Sequence, residues 1–350
     1  MQAIVLVGGE GTRLRPLTYA LPKPMAPLLG RPFIGWIIER LRKAGVSDVI
    51  LSCCYLPEMI EQHFGDGRSA GVKLHYVLEK EPLGTAGAIA NAAALIKGPI
   101  YACNGDILTA LDLVALRRFH ERHGALATIH TRAVDDPSQF GVVETDAQGR
   151  VARFVEKPKP GESDARDINA GTYVLEREAI ETIPAGRPVS IERETFPALI
   201  ESTGRVFAVS TGDYWIDVGR PDSYVQAHKD MLDGKFETPV GRQASAQVWT
   251  AADSALPRDI SVQGPVYVAR GVRIGRNVRI EPYAVIYEDC VIEDGAVVGA
   301  SILWPRCHVK AGATVREAIL GLEVSVDAGV KVAAGAVVGR GERVPAGAIA

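Results

Sequence analysis

Short apolar runs alternate with helical patterns along the N-terminal two thirds of the chain. The segment PFIGWIIERLRKAG places Ile34, Ile37, Ile38 and Leu41 on one helical face, as in a helix that packs on a sheet. The other predicted elements are strands at AIVLV (3–7), DVILSCC (48–54) and PIYACNGD (99–106) and a helix at AGAIANAAALI (86–96). This alternation predicts an α/β domain with a Rossmann-like, mostly parallel sheet covered by helices.

A different pattern, an aliphatic residue at every sixth position, begins near residue 262. Its first train is Val268, Ile274, Ile280, Ile286, Ile292 and Val298, and its second is Leu320, Val326, Val332, Val338 and Val344. Such a beat is typical of a parallel β-helix, whose coils stack their aliphatic residues on one another. The C-terminal part is therefore predicted to be a left-handed parallel β-helix of hexapeptide repeats. We expect an irregular coil or loop near Trp304 and Pro305, where the beat is interrupted.

The change of pattern predicts two domains joined by a connecting segment. The α/β domain is expected at residues 1–235, the linker at 236–261 and the β-helix at 262–350. A chain of 350 residues is long enough for about two domains, each with its own core.

The composition of the chain limits the binding partners and the cellular compartment that we expect. The chain has 47% hydrophobic and 23% charged residues and a formal net charge of −3, which gives no reason to expect a nucleic acid or an anionic membrane as partner. No apolar run reaches the roughly 18 residues of a membrane span. The five cysteines show no metal-ligand spacing, so we expect buried, reduced thiols in a cytoplasmic protein.

The loop GGEGTRLRP, directly after the first predicted strand, carries the first sign of chemistry. Its glycines allow backbone N–H groups to approach phosphate oxygens, and Arg13 and Arg15 add cationic groups suited to the same oxygens. Ligands of open α/β sheets bind at the carboxyl ends of strands, where this loop and Asp106 both fall. The GKS or GKT ending of a P-loop is absent. The alternative is a tight turn with solvated arginines.

Seven motifs in register give the chain a family resemblance. They are GGEGTRLRPLTYALPKPMAPLLGRP, EPLGTAGAI, NGD, FGVV, FVEKP, INAGTYVL and YWIDVGRP, which together span the first 235 residues. In this order they resemble the sugar-1-phosphate nucleotidyltransferases, the nucleotide-sugar pyrophosphorylases. SIERETFPALI and GDYWIDVGRPDSY are especially similar to the mannose-1-phosphate guanylyltransferase branch, and the β-helix matches the tail of several branches.

The resemblance implies attack by a sugar-1-phosphate oxygen on the α-phosphorus of a nucleoside triphosphate, with pyrophosphate as the leaving group. Charge neutralisation and alignment of two anions should then supply most of the catalysis. Arg13 and Lys23 would stabilise the departing pyrophosphate, and Lys157 is the third implied catalytic residue. The implied nucleotide site consists of Leu6, Gly8, Gly9, Gly11, Thr12, Arg13, Lys23, Pro82, Gly84, Thr85 and Asp106. For Thr85, which precedes an alanine-rich helix, simple helix capping is an alternative role.

Asp106 and Asp217 are the expected metal pair. Mg²⁺, or another divalent cation, prefers a few carboxylate oxygens together with phosphate oxygens and water. Taken alone, each aspartate could equally be a turn or cap residue beside glycine. The sugar-phosphate site implied by the resemblance consists of Gly141, Glu156, Lys157, Asn169 and Gly171, in which Lys157 would hold the phosphate. A solvated surface lysine is the alternative for Lys157.

The sequence leaves the substrate pair and two other classes of function open. The resemblance favours GTP and mannose-1-phosphate, whereas ATP, UTP or dTTP with a glucose-, heptose- or cyclitol-phosphate is the alternative. Hexapeptide β-helices also occur in acyltransferases, but His308 is the single histidine of the repeat and no orienting partner is visible in the sequence. A non-catalytic regulatory subunit would be expected to have lost ligands that are present here.

The β-helix is expected to assemble subunits instead of performing chemistry. Repeat domains must cap or bury their ends, and the terminal VPAGAIA (344–350) is short and apolar. A homo-oligomer, a dimer or a tetramer, is therefore predicted. A chain ending at Gly234 is expected to keep the active site and to lose subunit association.

Overall fold

The computed structural model describes residues 1–245, 247–251 and 256–346, and its contacts divide the chain into two compact units. The first unit comprises Met1–Glu10 and Ile34–Asp217, and the second comprises Gly11–Phe33 and Val218–Ala350. The segment that follows the first strand thus belongs to the same unit as the C-terminal part of the chain. The predicted domain limits at residues 235 and 262 remain a prediction.

The first unit is built on a nine-stranded sheet with the order β10-β9-β11-β6-β1-β4-β5, in which β8 pairs with β11 and β12. The strands of the chain up to residue 217 are β1 (Gln2–Leu6), β2 (Pro27–Leu28), β3 (Arg31–Pro32), β4 (Asp48–Cys53), β5 (Lys73–Leu78), β6 (Ile100–Asn104), β7 (Ile107–Thr109), β8 (Ala127–Ala133), β9 (Gly141–Thr145), β10 (Val151–Glu156), β11 (Asp167–Leu175), β12 (Val206–Ser210) and β13 (Trp215–Asp217). Strands β5, β4, β1 and β6 run parallel, so their carboxyl ends share one edge. Sites of open α/β sheets lie at this kind of edge.

The helices that lie in the first unit pack apolar faces against the sheet, as the sequence predicts, whereas the helix at Pro221–Leu232 belongs to the second unit. They are α1 (Phe33–Lys43), α2 (Pro57–Phe64), α3 (Gly84–Asn91), α4 (Leu113–Arg122), α5 (Arg177–Glu181), α6 (Phe196–Thr203) and α7 (Pro221–Leu232), with a π-helical turn at Ile191–Thr195 before α6. On α1 the four residues of the expected apolar face, Ile34, Ile37, Ile38 and Leu41, are all buried. The predicted α/β class is confirmed, and so are the predicted strands and helices, except that the helix expected at 86–96 ends at Asn91 and is followed by a 3₁₀ turn at Ala93–Leu95.

The second unit contains a parallel β-helix with three faces. Its strands are β14 (Arg242–Ser245), β15 (Val248–Thr250), β16 (Ser261–Val262), β17 (Val266–Val268), β18 (Arg273–Ile274), β19 (Arg279–Ile280), β20 (Val285–Ile286), β21 (Val291–Ile292), β22 (Val297–Gly299), β23 (Ile302–Leu303), β24 (His308–Val309), β25 (Thr314–Arg316), β26 (Ile319–Leu320), β27 (Ser325–Val326), β28 (Val337–Val338) and β29 (Arg343–Val344). The faces are β15-β17-β20-β23-β26-β28, β16-β19-β22-β25 and β18-β21-β24-β27-β29. Both sixfold trains point into one buried core, as predicted.

The expected irregular coil near Trp304 is wrong. Residues 302–316 form the regular strands β23, β24 and β25, and their inward residues Leu303, Val309 and Val315 are fully buried. The beat is only shortened by one residue at two turns, because Val298 is followed by Leu303 and Val315 by Leu320 in the same core. A search for an aliphatic residue at every sixth position fails when a turn is one residue shorter. The inward side chains before and after that turn nevertheless stay in the core.

Part of the predicted linker is built into the β-helix. Strand β15 pairs in parallel with β17 and is thereby the first strand of one face, and β14 pairs with β15 in the antiparallel sense. Residues 246 and 252–255 of that segment lie outside the described residues, as do residues 347–350 of the terminal VPAGAIA.

Candidate active site

Two short strands bring the predicted metal pair to one place in the first unit. Strand β13 pairs antiparallel with β7, so that Asp217 lies opposite Ile107, the residue directly after Asp106. The indole Nε1 of Trp215 donates a hydrogen bond to the carbonyl of Ala170 at 2.9 Å, which fixes β13 against β11. Both aspartates are half-buried at the end of the β7–β13 ladder. Two hard carboxylate groups at neighbouring positions of one ladder form a donor set suited to a divalent cation.

Gly105 allows the NGD turn to lie against the end of β1. Its N–H donates to the carbonyl of Leu6 at 2.9 Å. A Cβ atom at this position would come within 2.5 Å of that carbonyl oxygen and 2.6 Å of Val7 Cγ1, so any larger residue would push the turn away. Leu6 and Asn104 are register partners on β1 and β6. The glycine thus places Asp106 close to the start of the glycine-rich loop.

The NAG turn of β11 packs against Asn104. Gly171 adopts a φ of +71°, and a Cβ atom there would lie 2.8 Å from Nδ2 of Asn104. Asn169 Oδ1 accepts a hydrogen bond from the Gly171 N–H at 3.0 Å, and Asn169 Nδ2 donates to the Tyr173 hydroxyl at 2.8 Å. The Asn169 side chain therefore shapes its own turn. Within the described residues, Oδ1 of Asn104 is buried without a hydrogen-bond partner, which marks it as an acceptor for a ligand donor.

Gly141 and Glu156 are direct cross-strand neighbours on β9 and β10. A Cβ atom on Gly141 would lie 2.7 Å from Glu156 Oε2, so glycine is needed for the carboxylate to occupy this place. Burial and the nearby charge of Glu192 raise the pKa of Glu156, and Lys157 partly offsets this. Lys157 is exposed and has a φ of +52°, and its N–H donates to the carbonyl of Phe140 at 3.0 Å. Gly141, Glu156 and Lys157 are thus brought together at one edge of the sheet.

A buried glutamate shapes the turn that precedes α3. Glu79 follows β5, and its carboxylate accepts hydrogen bonds from the Ser52 hydroxyl at 2.9 Å and from the Leu83 N–H at 3.0 Å. A Cβ atom on Gly8 would lie 3.0 Å from Glu79 Oε1. Glu79 therefore connects the first glycines of the loop to the segment containing Pro82. Sequence reasoning missed this residue, although an acidic side chain directly after an apolar strand is a usable signal.

Thr85 does not cap α3, which was its alternative role. The helix begins at Gly84 with Leu83 as the N-cap, and no side chain caps it. The Thr85 hydroxyl instead donates to Glu192 Oε2 at 2.9 Å and accepts from the Ile191 N–H at 2.8 Å. Gly84 packs so closely on Val189 that a Cβ atom would lie 2.7 Å from its carbonyl oxygen. The predicted base-side turn is therefore fastened to the π-helical turn, and Glu192 is a further residue that the sequence did not single out.

The other predicted nucleotide-site residues lie in two places along the loop. Gly9 in the first unit has no atom within 4 Å of a Cβ position, which leaves space beside its backbone. In the second unit Gly11 has a φ of +64°, and a Cβ atom there would lie 2.9 Å from Lys23 Cβ. Thr12 and Arg13 are exposed in the 3₁₀ turn that follows. Gly11 thus lets the arginine-bearing turn lie against the segment that carries Lys23.

Three findings on the described residues concern metal clusters, membrane spans and disulfides. Across residues 1–245, 247–251 and 256–346, no group of three or more His, Cys, Asp and Glu side chains is placed to hold a metal ion by itself. The same part of the chain has no helix that is long and apolar enough to cross a membrane. All five cysteines are free thiols, and four of them are buried.

His308 has the carboxylate partner that the sequence did not reveal. Its Nε2 lies 2.6 Å from Glu293 Oε1 on the preceding coil. The pair belongs to a series of ion pairs between coils, which also includes Arg306–Glu323 and Lys310–Asp327 on neighbouring coils and Arg316–Glu281, which spans the coil of Gly299. This series gives His308 a structural role on the outside of the β-helix.

Comparison with known proteins assigns the two parts of the chain. The family model described as nucleotidyl transferase matches residues 2–234, and the model described as the GMPPB C-terminal domain matches residues 262–348. A mannose-1-phosphate guanylyltransferase of Mycobacterium tuberculosis is 40% identical over 300 residues, which is 85% of this chain and 83% of the relative. A UTP–glucose-1-phosphate uridylyltransferase of Synechocystis is 33% identical over 321 residues, 87% of this chain and 83% of the relative.

A solved structure shares the fold over about two thirds of this chain. It is HddC from Yersinia pseudotuberculosis complexed with GMP-PN, which is 33% identical, has a TM-score of 0.56, and matches 65% of this chain and 98% of its own. The family transfers a nucleotidyl group between a nucleoside triphosphate and a sugar phosphate, as the motifs implied. The chain belongs to the nucleotidyl transferase family.

Proposed function

We propose that the protein transfers a guanylyl group from GTP to mannose-1-phosphate, giving GDP-mannose and pyrophosphate. An oxygen of the sugar phosphate attacks the α-phosphorus, a new P–O bond forms, and the bond from the α-phosphorus to the oxygen bridging to the β-phosphorus breaks. The attacking oxygen is already anionic, so no proton has to be removed. The observation that carries this proposal is the β7–β13 pairing, which supports Asp106 and Asp217 as ligands of one divalent cation that would draw two anionic substrates together.

The glycine-rich loop supports the nucleotide half of the site. Gly9 leaves its backbone open to phosphate oxygens, and Gly8, Gly11 and Thr12 are the other loop residues proposed to bind the triphosphate. Arg13 and Lys23 would stabilise the negative charge that grows on the departing pyrophosphate. These charged side chains would contribute more to the transition state than to the bound substrate, because that charge develops only as the bond breaks.

The sugar half is supported by the residues around the NAG turn and β10. Lys157 would hold the sugar phosphate in line with the α-phosphorus, and Glu156 would accept hydrogen bonds from sugar hydroxyls. Gly141 and Gly171 let the side chains of Glu156 and Asn104 pack directly against the backbone, which brings these polar groups to the proposed hexose site. Asn104 Oδ1 adds an acceptor that the described protein atoms leave unused.

Asp106 and Asp217 fit a magnesium ion. Two carboxylates are too few to hold the ion alone, and oxygens of both phosphates would complete its ligands. When bound, the ion would neutralise phosphate charge and polarise the α-phosphate. The two aspartates keep their positions through the β7–β13 hydrogen bonds and the Trp215 contact.

The choice of GTP and mannose-1-phosphate rests on the relatives. The guanylyltransferase similarity extends over both parts of the chain, and the related HddC structure contains GMP-PN. The uridylyltransferase relative makes UTP with glucose-1-phosphate the second candidate pair.

Pyrophosphate release distinguishes these candidates. GTP, ATP, UTP and dTTP are each combined with mannose-, glucose- and heptose-1-phosphate in the presence of Mg²⁺. The expected result is a kcat/KM for GTP with mannose-1-phosphate that exceeds every other pair by about tenfold or more. A preference for UTP with glucose-1-phosphate would replace the substrate pair, and no release with any pair would overturn the proposed activity.

We also propose a homo-oligomer that forms through the β-helix. Light scattering on the full chain, and on a chain that ends at Gly234, tests this. A smaller assembly is expected for the shorter chain, whereas an unchanged assembly would place the contact in residues 1–234. Activity is not informative in this comparison, because the truncation also removes β-helix residues that contact the loop segment of the same unit.

A further inference from the structure

One face of the β-helix presents large side chains that point away from its core and are nevertheless buried. The equivalent positions of successive coils, each directly after an inward residue of this face, are Ala269, Tyr287, Trp304, Gly321 and Gly339. Tyr287 is 1% exposed and Trp304 is 3% exposed, and neither belongs to the aliphatic core. We call these five positions the outer column. Its partners lie in the loop segment Gly11–Phe33 and in α7 of the same unit.

The two aromatic residues of the outer column make directed hydrogen bonds to this part of the unit. The Tyr287 hydroxyl accepts from the Leu29 N–H at 2.8 Å. The Trp304 indole donates to the Tyr224 hydroxyl at 3.1 Å, and Tyr224 in turn donates to the carbonyl of Pro27. The two peptide groups that flank Leu28 are thus hydrogen-bonded, one to Tyr287 of the β-helix and the other to Tyr224, which Trp304 of the β-helix holds.

His228 of α7 completes the network and fixes its hydrogen positions. Because Tyr287 accepts from Leu29, its own proton points to His228 Nε2 at 2.9 Å, and His228 Nδ1–H donates to the Tyr224 carbonyl at 2.8 Å. Each donor in this hydrogen-bond network therefore has one acceptor, provided that the imidazole of His228 is neutral. Burial lowers the pKa of His228 to about 4, which agrees with this arrangement.

The held segment is a strained hairpin. Strands β2 and β3 pair Pro27 with Pro32 and Leu28 with Arg31, so Leu29 and Gly30 form a two-residue turn. Both turn residues have positive φ, 41° for Leu29 and 98° for Gly30. A branched residue such as leucine disfavours this conformation, and it persists only where the surroundings fix it. Tyr287 binds the Leu29 N–H, and the Val240 N–H donates to the Leu29 carbonyl at 2.9 Å.

The hairpin is joined to Lys23 by a short series of backbone hydrogen bonds. The Phe33 N–H, at the far end of the hairpin, donates to the Ala26 carbonyl at 2.9 Å, and the Ala26 N–H donates to the Lys23 carbonyl at 3.0 Å. A Cβ atom on Gly339 of the outer column would lie 3.1 Å from Pro16 Cβ, so the column also touches the earlier part of the loop segment. A shift of the hairpin would therefore reach the Lys23 backbone within a few residues.

We propose that Tyr287 and Trp304 are positioning residues for nucleotidyl transfer, acting on Lys23 through the Pro27–Pro32 hairpin. The inference rests on the proposed function, in which Lys23 stabilises the departing pyrophosphate. It gives the β-helix a direct part in the reaction, in addition to any role in assembly. Small displacements of a charged group from its transition-state position are costly in rate, which is why a distant hydroxyl can matter.

Tyr287→Phe removes one hydroxyl and keeps the ring, and Ser301→Ala is its matched control. Ser301 is also fully buried, and its hydroxyl also makes two hydrogen bonds, to the Gly299 carbonyl and from the Ala318 N–H, but both stay inside the β-helix. In the full-length protein we expect kcat to fall about tenfold in Tyr287→Phe, with KM for the sugar phosphate unchanged. Ser301→Ala should lower the melting temperature similarly and leave kcat unchanged. Equal kcat in the two variants would overturn the inference.

A double-mutant cycle with Lys23→Ala tests whether Tyr287 acts through the lysine. If it does, Lys23→Ala combined with Tyr287→Phe is no slower than Lys23→Ala alone, because the group being positioned has already been removed. If the rate loss of the double variant equals the product of the two single losses, Tyr287 acts elsewhere and the assignment is overturned. Trp304→Phe removes the indole N–H, which is the donor to Tyr224. It is expected to give the same pattern with a smaller loss of kcat.

Hydrogen exchange on the unliganded protein gives a readout that does not depend on activity. In Tyr287→Phe, amide exchange should accelerate in residues 23–33 and stay unchanged in the β-helix core, whereas Ser301→Ala should leave residues 23–33 unchanged. Unchanged exchange in residues 23–33 of Tyr287→Phe would overturn the inference even if the enzyme is active. Faster exchange in a protein that transfers no nucleotidyl group would support the mechanical link and reject the proposed function alone.

Discussion

The hydroxyl of Thr85 donates a hydrogen bond to the carboxylate of Glu192 at 2.9 Å, although the two residues are 107 positions apart. The same hydroxyl accepts from the Ile191 N–H, and Glu192 also accepts from the Ser190 hydroxyl at 2.7 Å. One threonine thus joins the start of α3 to the π-helical turn before α6. The contact connects the turn proposed for the base to a carboxylate that acts electrostatically on Glu156.

Replacing Thr85 by valine should weaken nucleotide binding. The substitution keeps the shape of the side chain but removes a donor and an acceptor, which leaves the Ile191 N–H unpaired. We expect kcat/KM for the nucleotide to fall about tenfold and the melting temperature to fall by a few degrees. Thr203→Val is the control, because the Thr203 hydroxyl also donates to a carbonyl and accepts from an N–H, at the end of α6. A similar kinetic loss in Thr203→Val would contradict a specific role for Thr85.

Asp106→Asn and Asp217→Asn should each lower turnover by about 100-fold or more, because each removes a hard anionic ligand from the proposed cation. The loss should be partly relieved at high concentrations of divalent cation if binding of the ion is what fails. Asp112→Asn is a suitable control, since Asp112 caps α4 by accepting from the Ala115 N–H and should affect stability alone. Near-normal turnover of either site variant at saturating Mg²⁺ would reject the metal assignment.

Arg13→Ala and Lys157→Ala should fail in different steps. Loss of Arg13 should reduce kcat and weaken nucleotide binding, whereas loss of Lys157 should raise KM for the sugar phosphate, by about tenfold or more in each case. Lys159→Ala, which removes an exposed lysine two residues further on, is expected to leave both constants unchanged. Identical defects for the two substrates in both variants would show that the division of roles is wrong.

Stability should fall as the pH is lowered from about 6.5 towards 4, because His130 and His228 stay neutral in the folded protein. Burial lowers the pKa of each to about 4, whereas an unfolded histidine binds a proton at higher pH. In that window the unfolded state binds more protons, so the free energy of unfolding decreases by about 1.4 kcal/mol per pH unit for each histidine. Urea unfolding of His228→Gln at several pH values should show a shallower slope than the original protein. An equal slope would indicate that His228 is protonated in the folded state.

The secondary-structure elements and the inward-facing residues of the β-helix can be predicted from the sequence, because both follow from the spacing of apolar residues. The outer column was not predictable in this way. Tyr287 and Trp304 occupy positions that alternate away from the core, and period alone does not say what packs on them. Their partner, the hairpin around Leu29, lies 258 positions earlier. The interrupted beat near Trp304 therefore predicts an irregular coil, whereas Trp304 is part of the outer column.

Within the site, the motifs identified residues but not their contacts. Asp106 and Asp217 could be named from NGD and YWID, and the structure adds the β-pairing that gives them a common position. Glu79 and Glu192 escaped notice because their importance depends on partners from other strands and turns. The sequence locates Thr85 at the start of α3, but its bond to Glu192 depends on tertiary packing and cannot be derived from local helix signals.

The outer column also determines where this fold can be lengthened. Neighbouring coils of a parallel sheet are about 4.8 Å apart, so an extra coil inserted before Tyr287 would carry the aromatic pair away from the hairpin by that distance. A coil added beyond Gly339, the last position of the column in contact with Pro16, would leave every one of these contacts in register. Coils can therefore be added to the β-helix beyond Gly339 without disturbing the hairpin, whereas a coil added before Tyr287 would break its contacts.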